Sequence, residues 1–387
     1  MAKLRVGVLF GGRSSEHEVS LVSAAAVLRS LDPQKYDVVP IGITKDGRWM
    51  LPPPVSGALT HASLRKALGE ATPVLLPAEP GSTSLVPLNS SPPPASPPET
   101  SSSSLHLDVI FPVLHGTFGE DGTVQGLLEL AGIPYVGADV LGSAVGMDKE
   151  VQKRLFLQAK LPVVPYLCVR RHEWEAQREK ILAAIRRRFR FPLFVKPAAL
   201  GSSVGITKVR KAGELPPAIE HAAEFGEKIL IERAVRAREF EVAVLGNQEP
   251  SASLPGEVLP ARDFYDYTAK YLEDTTRFRV PAKLPPPKVR RLQELAVAAF
   301  RACECEGMAR VDFLLDRASG KIFINEINTI PGFTAISMYP KLWEASGLPY
   351  PALLDRLIQL ALARHQRKAR TRYSVQLPAR RGGVLKE

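Results

Sequence analysis

The sequence predicts an α/β protein of two or three domains that begins with a parallel sheet. Three observations carry this. Residues 4–43 and 107–130 alternate short apolar runs of strand length with longer helix-like runs, the βαβ pattern of a parallel sheet. The chain has 387 residues, too many for one ordinary domain. Residues 307–328 read as two alternating strands around a turn at 318–320, a hairpin standing apart from the first sheet.

Residues 4–10 form a buried strand, 11–15 a tight polar loop, 18–30 a helix and 37–43 the next strand. Residues 107–114 are a further apolar strand, and 122–130 resume a helix. In such sheets ligands bind at the carboxyl ends of strands, where Gly11, Glu16, His115 and Gly116 lie. Residues 52–104 interrupt the pattern. Their Pro and Ser density is too high for a core, and the second half is expected to be an extended or disordered surface loop that activity can spare. A second unit begins near Met147. It has a helix over 148–160, which Asp148 can cap, and strands over 190–195, 229–232 and 239–245. Helices over 288–302 and 353–363 belong to a third. The expected divisions are 1–146, 147–235, 236–365 and a basic tail at 366–387.

The hydrophobic fraction of 45% allows sizeable cores, and no apolar run approaches membrane-spanning length. The N-terminus enters a strand directly, without the charged start and apolar core of a signal peptide. Cys168, Cys303 and Cys305 make neither a disulfide framework nor a zinc pair. A cytoplasmic protein with reduced thiols is expected. The net charge of +11 is concentrated in the last two dozen residues, including Arg364, Arg367 and Lys368. Such an end is expected to be solvated rather than a specific nucleic-acid or membrane site.

The hairpin carries the most chemistry. Alternation puts Arg310 and Asp312 on one face, and Glu326 and Asn328 on one face together with Ile322 and Ile324. Paired, the strands bring Asp312, Glu326 and Asn328 together. These are hard oxygen donors beside a cation, the set that Mg²⁺ on a nucleotide requires. A hairpin whose charged face meets water would read the same way. Lys196 ends a strand just before a loop holding Gly201, Ser202, Ser203 and Gly205. That loop can fold over phosphates, although it lacks the P-loop pattern and a plain Gly-Ser turn would look similar. Lys149 opens the 148–160 helix. Glu232 and Glu239 flank an Arg-rich link and offer carboxylates to ribose hydroxyls, or merely to surface salt bridges. Residues 264–271, with three tyrosines and Lys270, suit a loop that closes over a small polar ligand or packs on the surface.

Together these motifs resemble one family. Gly11 through Ser20, His115 through Gly122, Met147-Asp148-Lys149, Lys196 through Gly205, Tyr265 through Tyr271, Arg310-Val311-Asp312 and Asn325 through Gly332 occur in the order found in the D-alanine–D-alanine ligases, ATP-grasp enzymes of peptidoglycan synthesis. The resemblance spans about residues 4–363 outside the Pro/Ser-rich segment. It implies a three-domain ATP-grasp fold with a Rossmann-like N-terminal domain, and ATP between the central and C-terminal domains. By resemblance Lys149 and Lys196 contact phosphate. Glu232 with the neighbouring backbone of Arg233 and Val235 contacts adenine, and Glu239 contacts ribose. Ser202 and Ser203 belong to the phosphate loop. Asp312, Glu326 and Asn328 hold two Mg²⁺ ions, for which Mn²⁺ could substitute. Glu16 holds the ammonium of the first D-alanine, and Ser337 the carboxylate of the second. Ser202 and Tyr271 link this region to the closing loop. Lys270 faces the transferred phosphate. Arg310 and the Gly332 N–H stabilise an oxyanion. His115 contacts substrate and is a candidate acceptor for the amine's proton. A homodimer is usual in the family.

The rivals are a D-alanine–D-lactate ligase, an ATP-grasp ligase for another acid and amine, and a non-enzymatic anion-binding protein. Tyr271 opposes the first, since a phenylalanine there marks some lactate-type relatives. Glu16 and Ser337 oppose the second. The three metal ligands, which anion binding does not need, oppose the third.

Overall fold

The computed structural model describes residues 2–54, 57–81, 83–88, 105–201, 204–259, 277–334 and 337–374. The first unit runs β1 (Leu4–Gly11), α1 (His17–Ser30), β2 (Tyr36–Ile43), β3 (Trp49–Leu51), α2 (His61–Gly69), β4 (Thr72–Leu75), β5 (Ser84–Pro87), β6 (Leu105–His106), β7 (Val109–Leu114), α3 (Thr123–Ala131) and α4 (Val140–Met147). The strand order is β6-β5-β4-β3-β2-β1-β7. β1 pairs in parallel with both β2 and β7, as the βαβ pattern requires. β7 ends that order, yet it is buried at every position, as a parallel strand covered on both faces must be. The strands from β3 to β6 extend this sheet antiparallel.

Part of that extension comes from the segment expected to build no core. Thr60 caps α2 by accepting from the Ser63 N–H at 3.1 Å, and Leu64 is fully buried. Val74, Leu76 and Leu85 join the core under the sheet. The expectation fails for residues 57–88 because a few apolar side chains at strand spacing outweigh the prolines around them. The Pro/Ser-dense stretch at 89–104 lies outside the described residues.

The central unit comprises α5 (Lys149–Gln158), β8 (Tyr166–Arg170), α6 (Arg171–Arg188), β9 (Leu193–Pro197), β10 (Thr207–Val209), α7 (Leu215–Glu224) and β11 (Lys228–Arg233). Its strands are ordered β10-β9-β11-β8, with α6 and α7 packed on one face through Trp174, Leu182, Ile219 and Ala222. The Asp148 carboxylate accepts from the Glu150 and Val151 N–H groups at 3.0 Å, the cap expected for α5.

The third unit comprises β12 (Ala237–Gly246), β13 (Ser251–Ala252), β14 (Gly256–Leu259), β15 (Arg277–Arg279), α8 (Pro286–Ala302), β16 (Gly307–Asp316), β17 (Ile322–Asn328), α9 (Met338–Ala345) and α10 (Tyr350–Lys368). Its main sheet order is β15-β14-β12-β16-β17. Leu292, Leu295 and Phe300 of α8 cover one face. On the other side Phe333, Tyr339, Leu353 and Leu357 share a core with Val6, Phe10 and Phe111 of the first unit.

The basic end is not wholly a solvated tail. α10 continues to Lys368, past the expected division at 365. Arg364 is buried, donates to the carbonyls of Gly137 and Tyr135, and stacks 4.6 Å from the Tyr135 ring centre. Arg367 pairs with Glu306 at 2.6 Å, and Lys368 with Glu129 at 2.6 Å and Asp139 at 3.1 Å. Spacing i, i+3, i+4 puts the three cations on one helical face; Arg364 and Lys368 dock it on the first unit, and Arg367 ties it to Glu306 of the third. Residues 375–387 lie outside the description.

Candidate active site

Strand register builds the acidic floor. Asp312 stands opposite Glu326, and Arg310 opposite Asn328, so their side chains share a face of the sheet. Beyond Asp312 the register shifts: Phe313 pairs with Ile324, leaving Asn325 unpaired in a β-bulge. The bulge corrects one expectation. Simple alternation put Ile322 and Ile324 on the acidic face. Ile324 is instead fully buried with Phe313, and Ile322 packs against that same core. One extra residue reverses the facing, so β17 sends isoleucines to the core and acids to the site.

β12 adds Glu239, which the sequence had singled out, and Glu241, which it had missed. Glu241 pairs in register with Asp312, and Glu239 with Leu314. The Arg310 guanidinium lies 3.0 Å from Glu241 and 2.7 Å from Asp312. Burial disfavours its charge, but Asp312 and Glu241 outweigh that and hold its pKa well above the usual value. Spacing alone could have found Glu241, because it stands two residues from Glu239 on the same strand face.

Lysines face this floor from the central unit. Lys149 Nζ lies 3.0 Å from Glu326 and donates to the Leu200 carbonyl at 2.8 Å. Lys196 Nζ lies 2.7 Å from Glu232, whose other oxygen is 2.9 Å from Lys153 Nζ. Burial would raise the Glu232 carboxyl, but Lys153 and Lys196 more than offset this and hold it at about 2. Burial brings Lys153 below the ordinary lysine range despite Glu232. Lys153 was missed in the sequence, although it stands four residues after Lys149 on the same helical face. Arg233 is exposed with its guanidinium 5.9 Å from the Phe323 ring centre, and Val235 is half-buried.

The first unit supplies the other wall. Glu16 is buried beneath two glycines: a Cβ at Gly116 or at Gly201 would come within 2.9 Å of Glu16 Oε2. Larger residues at either position would displace the carboxylate. The His115 ring lies 3.2 Å from the Ser23 hydroxyl. Burial lowers its pKa, which keeps the imidazole neutral at physiological pH. At the far side the Ser337 hydroxyl sits inside the turn after Gly332. It accepts from the Thr334 N–H at 3.0 Å, and a Cβ at Gly332 would reach it at 2.8 Å. Ser202, Ser203, Lys270 and Tyr271 lie outside the described residues.

Glu120 was also missed, although it stands in the His115-Gly116 loop. One oxygen accepts from the Gly116 N–H at 2.7 Å, and the other is buried without a partner among the described residues. Burial, and then the Glu16 charge, push its carboxyl up to about 8. The folded chain therefore holds a proton that the unfolded chain releases near 4.5. Stability from this group is complete below the unfolded pKa and is lost as pH rises through the folded one. Glu120→Gln is expected to flatten the fall of Tm between pH 5 and 8. Parallel slopes for variant and wild type would refute a protonated Glu120.

Asp312 and Glu326 are carboxylates 15% and 23% exposed, on one face with the Asn328 amide. That oxygen set fits a hard cation that keeps further positions for phosphate oxygens. Among the described residues no group of three or more His, Cys, Asp or Glu side chains is placed to hold a metal ion. Asn328 Oδ1 accepts from the Ile330 N–H at 3.1 Å, and Arg310 and Lys149 neutralise the carboxylates.

Two antiparallel sheets presenting lysines on one side and carboxylates on the other, beside a parallel-sheet unit, define an ATP-grasp enzyme. The family model described as D-ala D-ala ligase N-terminus matches residues 5–138, and that described as D-ala D-ala ligase C-terminus matches 155–359. The D-alanine–D-alanine ligase of Solibacter usitatus is 50% identical over 96% of this chain and 99% of its own length. That of Heliobacterium modesticaldum is 47% identical over 96% and 98%. The solved D-alanine–D-alanine ligase of Coxiella burnetii superposes with a TM-score of 0.79 at 37% identity, covering 95% of this chain and 97% of its own. The VanG D-Ala:D-Ser ligase of Enterococcus faecalis gives 0.80 at 36%, covering 93% and 100%. The chain belongs to the D-alanine–D-alanine ligase family, ATP-dependent enzymes that make the D-alanyl-D-alanine of peptidoglycan precursors. Among the described residues no helix is long and apolar enough to cross a membrane.

Proposed function

We propose that this chain joins two D-alanines through a D-alanyl phosphate, with the roles below. The observation that carries the reading is the convergence of three walls. Glu16 meets the end of the glycine loop at Gly201, and Lys149 of that unit meets Glu326 of the third. A carboxylate acylates poorly because oxide would have to leave. Phosphorylation turns it into an acyl phosphate, from which phosphate departs readily. Asp312, Glu326 and Asn328 would hold Mg²⁺, or Mn²⁺ in its place, which when bound supplies positive charge at the phosphates. Lys149 and Lys196 leave their carboxylate partners for the triphosphate. Glu232, the backbone at Arg233 and Val235, and Glu239 receive the nucleoside. Glu16 takes the ammonium of the first D-alanine, and Ser337 the carboxylate of the second. The second amine attacks the acyl carbon, and the tetrahedral oxyanion lies against Arg310 and the Gly332 N–H. Neutral His115 is a candidate acceptor for the amine's proton. Closure of the loop carrying Lys270 and Tyr271 excludes water that would hydrolyse the acyl phosphate. We place the divisions between units at 146/147 and 235/236, and take the enzyme as a cytoplasmic homodimer, as is usual in the family.

Phosphate release from ATP, measured with D-alanine, L-alanine, D-lactate or no second compound, tests the reading. Strong stimulation by D-alanine alone is expected; equal rates with L-alanine or D-lactate would overturn it. Tyr271 governs the choice between an amine and a hydroxyl nucleophile through Ser202 and Glu16. Tyr271→Phe removes one hydrogen-bonding group, worth about 0.5–1.5 kcal/mol. Slower dipeptide synthesis is expected, with new D-alanyl-D-lactate strongest at low pH, where the competing amine is protonated. Product analysis with both substrates between about pH 6 and 9 decides. Dipeptide alone throughout that range would reduce Tyr271 to a loop-closing contact.

A further inference from the structure

β17 carries Glu326 and Asn328, yet it ends the strand order of its sheet, and among the described residues its outer edge has backbone pairing only at one parallel bridge, Ile324 with Val163, where the Ile324 N–H donates to the Pro162 carbonyl at 2.8 Å. It also contains the bulge that turns Glu326 toward the site. Register is weakly specified on such an edge, and a slip of one residue would send Glu326 into the apolar core. Beyond that bridge, at Asn325 and Ile327, the edge is held by side chains of α5. The Gln152 amide accepts from the Ile327 N–H at 3.0 Å and donates to the Ile327 carbonyl at 3.1 Å, reproducing both bonds of a missing strand. Its nitrogen also donates to the Gly146 carbonyl. Lys153 Nζ donates at 3.3 Å to the carbonyl of Asn325, the bulged residue. Between these contacts Lys149 pairs with Glu326 itself. Gln152 is 1% exposed and Lys153 fully buried. Burying an amide and an ammonium is unfavourable unless every bond is made, and here the bonds go to β17, to Gly146 of α4 and to Glu232.

We propose that Gln152 and Lys153 are positioning residues that hold the metal-ligand strand in its bulged register and thereby set the enzyme's affinity for the divalent cation. The inference rests on the ligand roles given above to Asp312, Glu326 and Asn328. Lys153 joins the bulge to Glu232, so the nucleoside end and the metal end of the site share one rigid connection. Gln152 sets the pitch of the strand one residue past Glu326. Neither side chain need touch substrate.

The test uses the full-length enzyme and Mn²⁺ in the presence of ADP, with free Mn²⁺ followed by its paramagnetic resonance signal. Gln152→Leu is expected to weaken Mn²⁺ binding by about 10-fold or more, the usual effect of removing a support behind a metal ligand. The Mg²⁺ concentration for half-maximal rate should rise in parallel. The KM for D-alanine at saturating Mg²⁺ should stay within about twofold, because the side chain's hydrogen bonds go to β17 and α4. A folded Gln152→Leu with wild-type Mn²⁺ affinity would overturn the proposal. If that variant does not fold, Gln152→Glu decides. It retains the acceptor for the Ile327 N–H but loses the donor, and unchanged Mn²⁺ affinity would again overturn the proposal. Failure of both variants to fold would make Gln152 a determinant of the fold and also refute it. Glu326→Gln serves as the control. If it leaves Mn²⁺ binding unchanged, the ligand assignment itself is wrong. If it weakens binding while Gln152→Leu does not, only the positioning role fails.

Discussion

Glu326→Gln is expected to reduce turnover by about a thousandfold or more, corresponding to about 4 kcal/mol of lost transition-state stabilisation. The substitution keeps size and shape. The amide can still accept from Lys149, which now lies 3.0 Å from the carboxylate, so packing at the end of α5 should survive. What is lost is one negative charge at the position proposed to hold the divalent cation. Steady-state phosphate release with D-alanine, beside thermal unfolding of the same preparation, separates the two effects. Near-normal release from the variant would remove Glu326 from the site. Inactivity accompanied by a collapse of Tm would instead show that the Lys149 pair serves folding.

Arg310→Met should cost activity by about 10²–10³-fold, the usual result of deleting a donor aimed at an oxyanion. It should also cost stability. The guanidinium now separates Asp312 from Glu241, and its removal leaves two carboxylates facing each other, a change worth about 3–5 kcal/mol when a buried pair is broken. A second substitution distinguishes these losses. Arg310→Met combined with Glu241→Gln relieves the repulsion and should recover most of the Tm while leaving the rate low. If activity returns with stability, Arg310 is a structural spacer and the oxyanion must be stabilised elsewhere.

Much of the site was legible because its signals are local. A cap such as Asp148 is a contact between near neighbours, and its hydrogen bonds occur where the sequence placed them. The paired facing of Asp312 and Glu326 follows from the two-residue repeat of a strand, provided the strands are adjacent. The same rule failed at the very next residue, the bulge, where Asn325 is left unpaired and Ile324 turns inward. Bulging is chosen by what lies on either side of a strand: here an apolar core under Phe313 and a helix edge offering Gln152 and Lys153. Neither is adjacent in sequence. Residues 57–88 were misread for a related reason. Composition counts prolines and serines, whereas the four buried leucines and valines that order the segment act only when placed against the sheet.

By itself, then, the sequence determined the parallel start of the first sheet, the acidic hairpin, the capped helix that carries Lys149, and the order of motifs that marks the family. These depend on short-range periodicity and on residue chemistry, both of which a linear chain displays. Only the tertiary structure decided which charges pair. Lys153 and Lys196 share Glu232, Arg310 stands between Glu241 and Asp312, and Arg364 and Lys368 of α10 grip the first unit instead of trailing in solvent. The physical reason is that an ion pair or a buried amide depends on distance and on exclusion of water, and both are set by elements brought together from separate parts of the chain, as with Gln152 and Ile327, 175 residues apart.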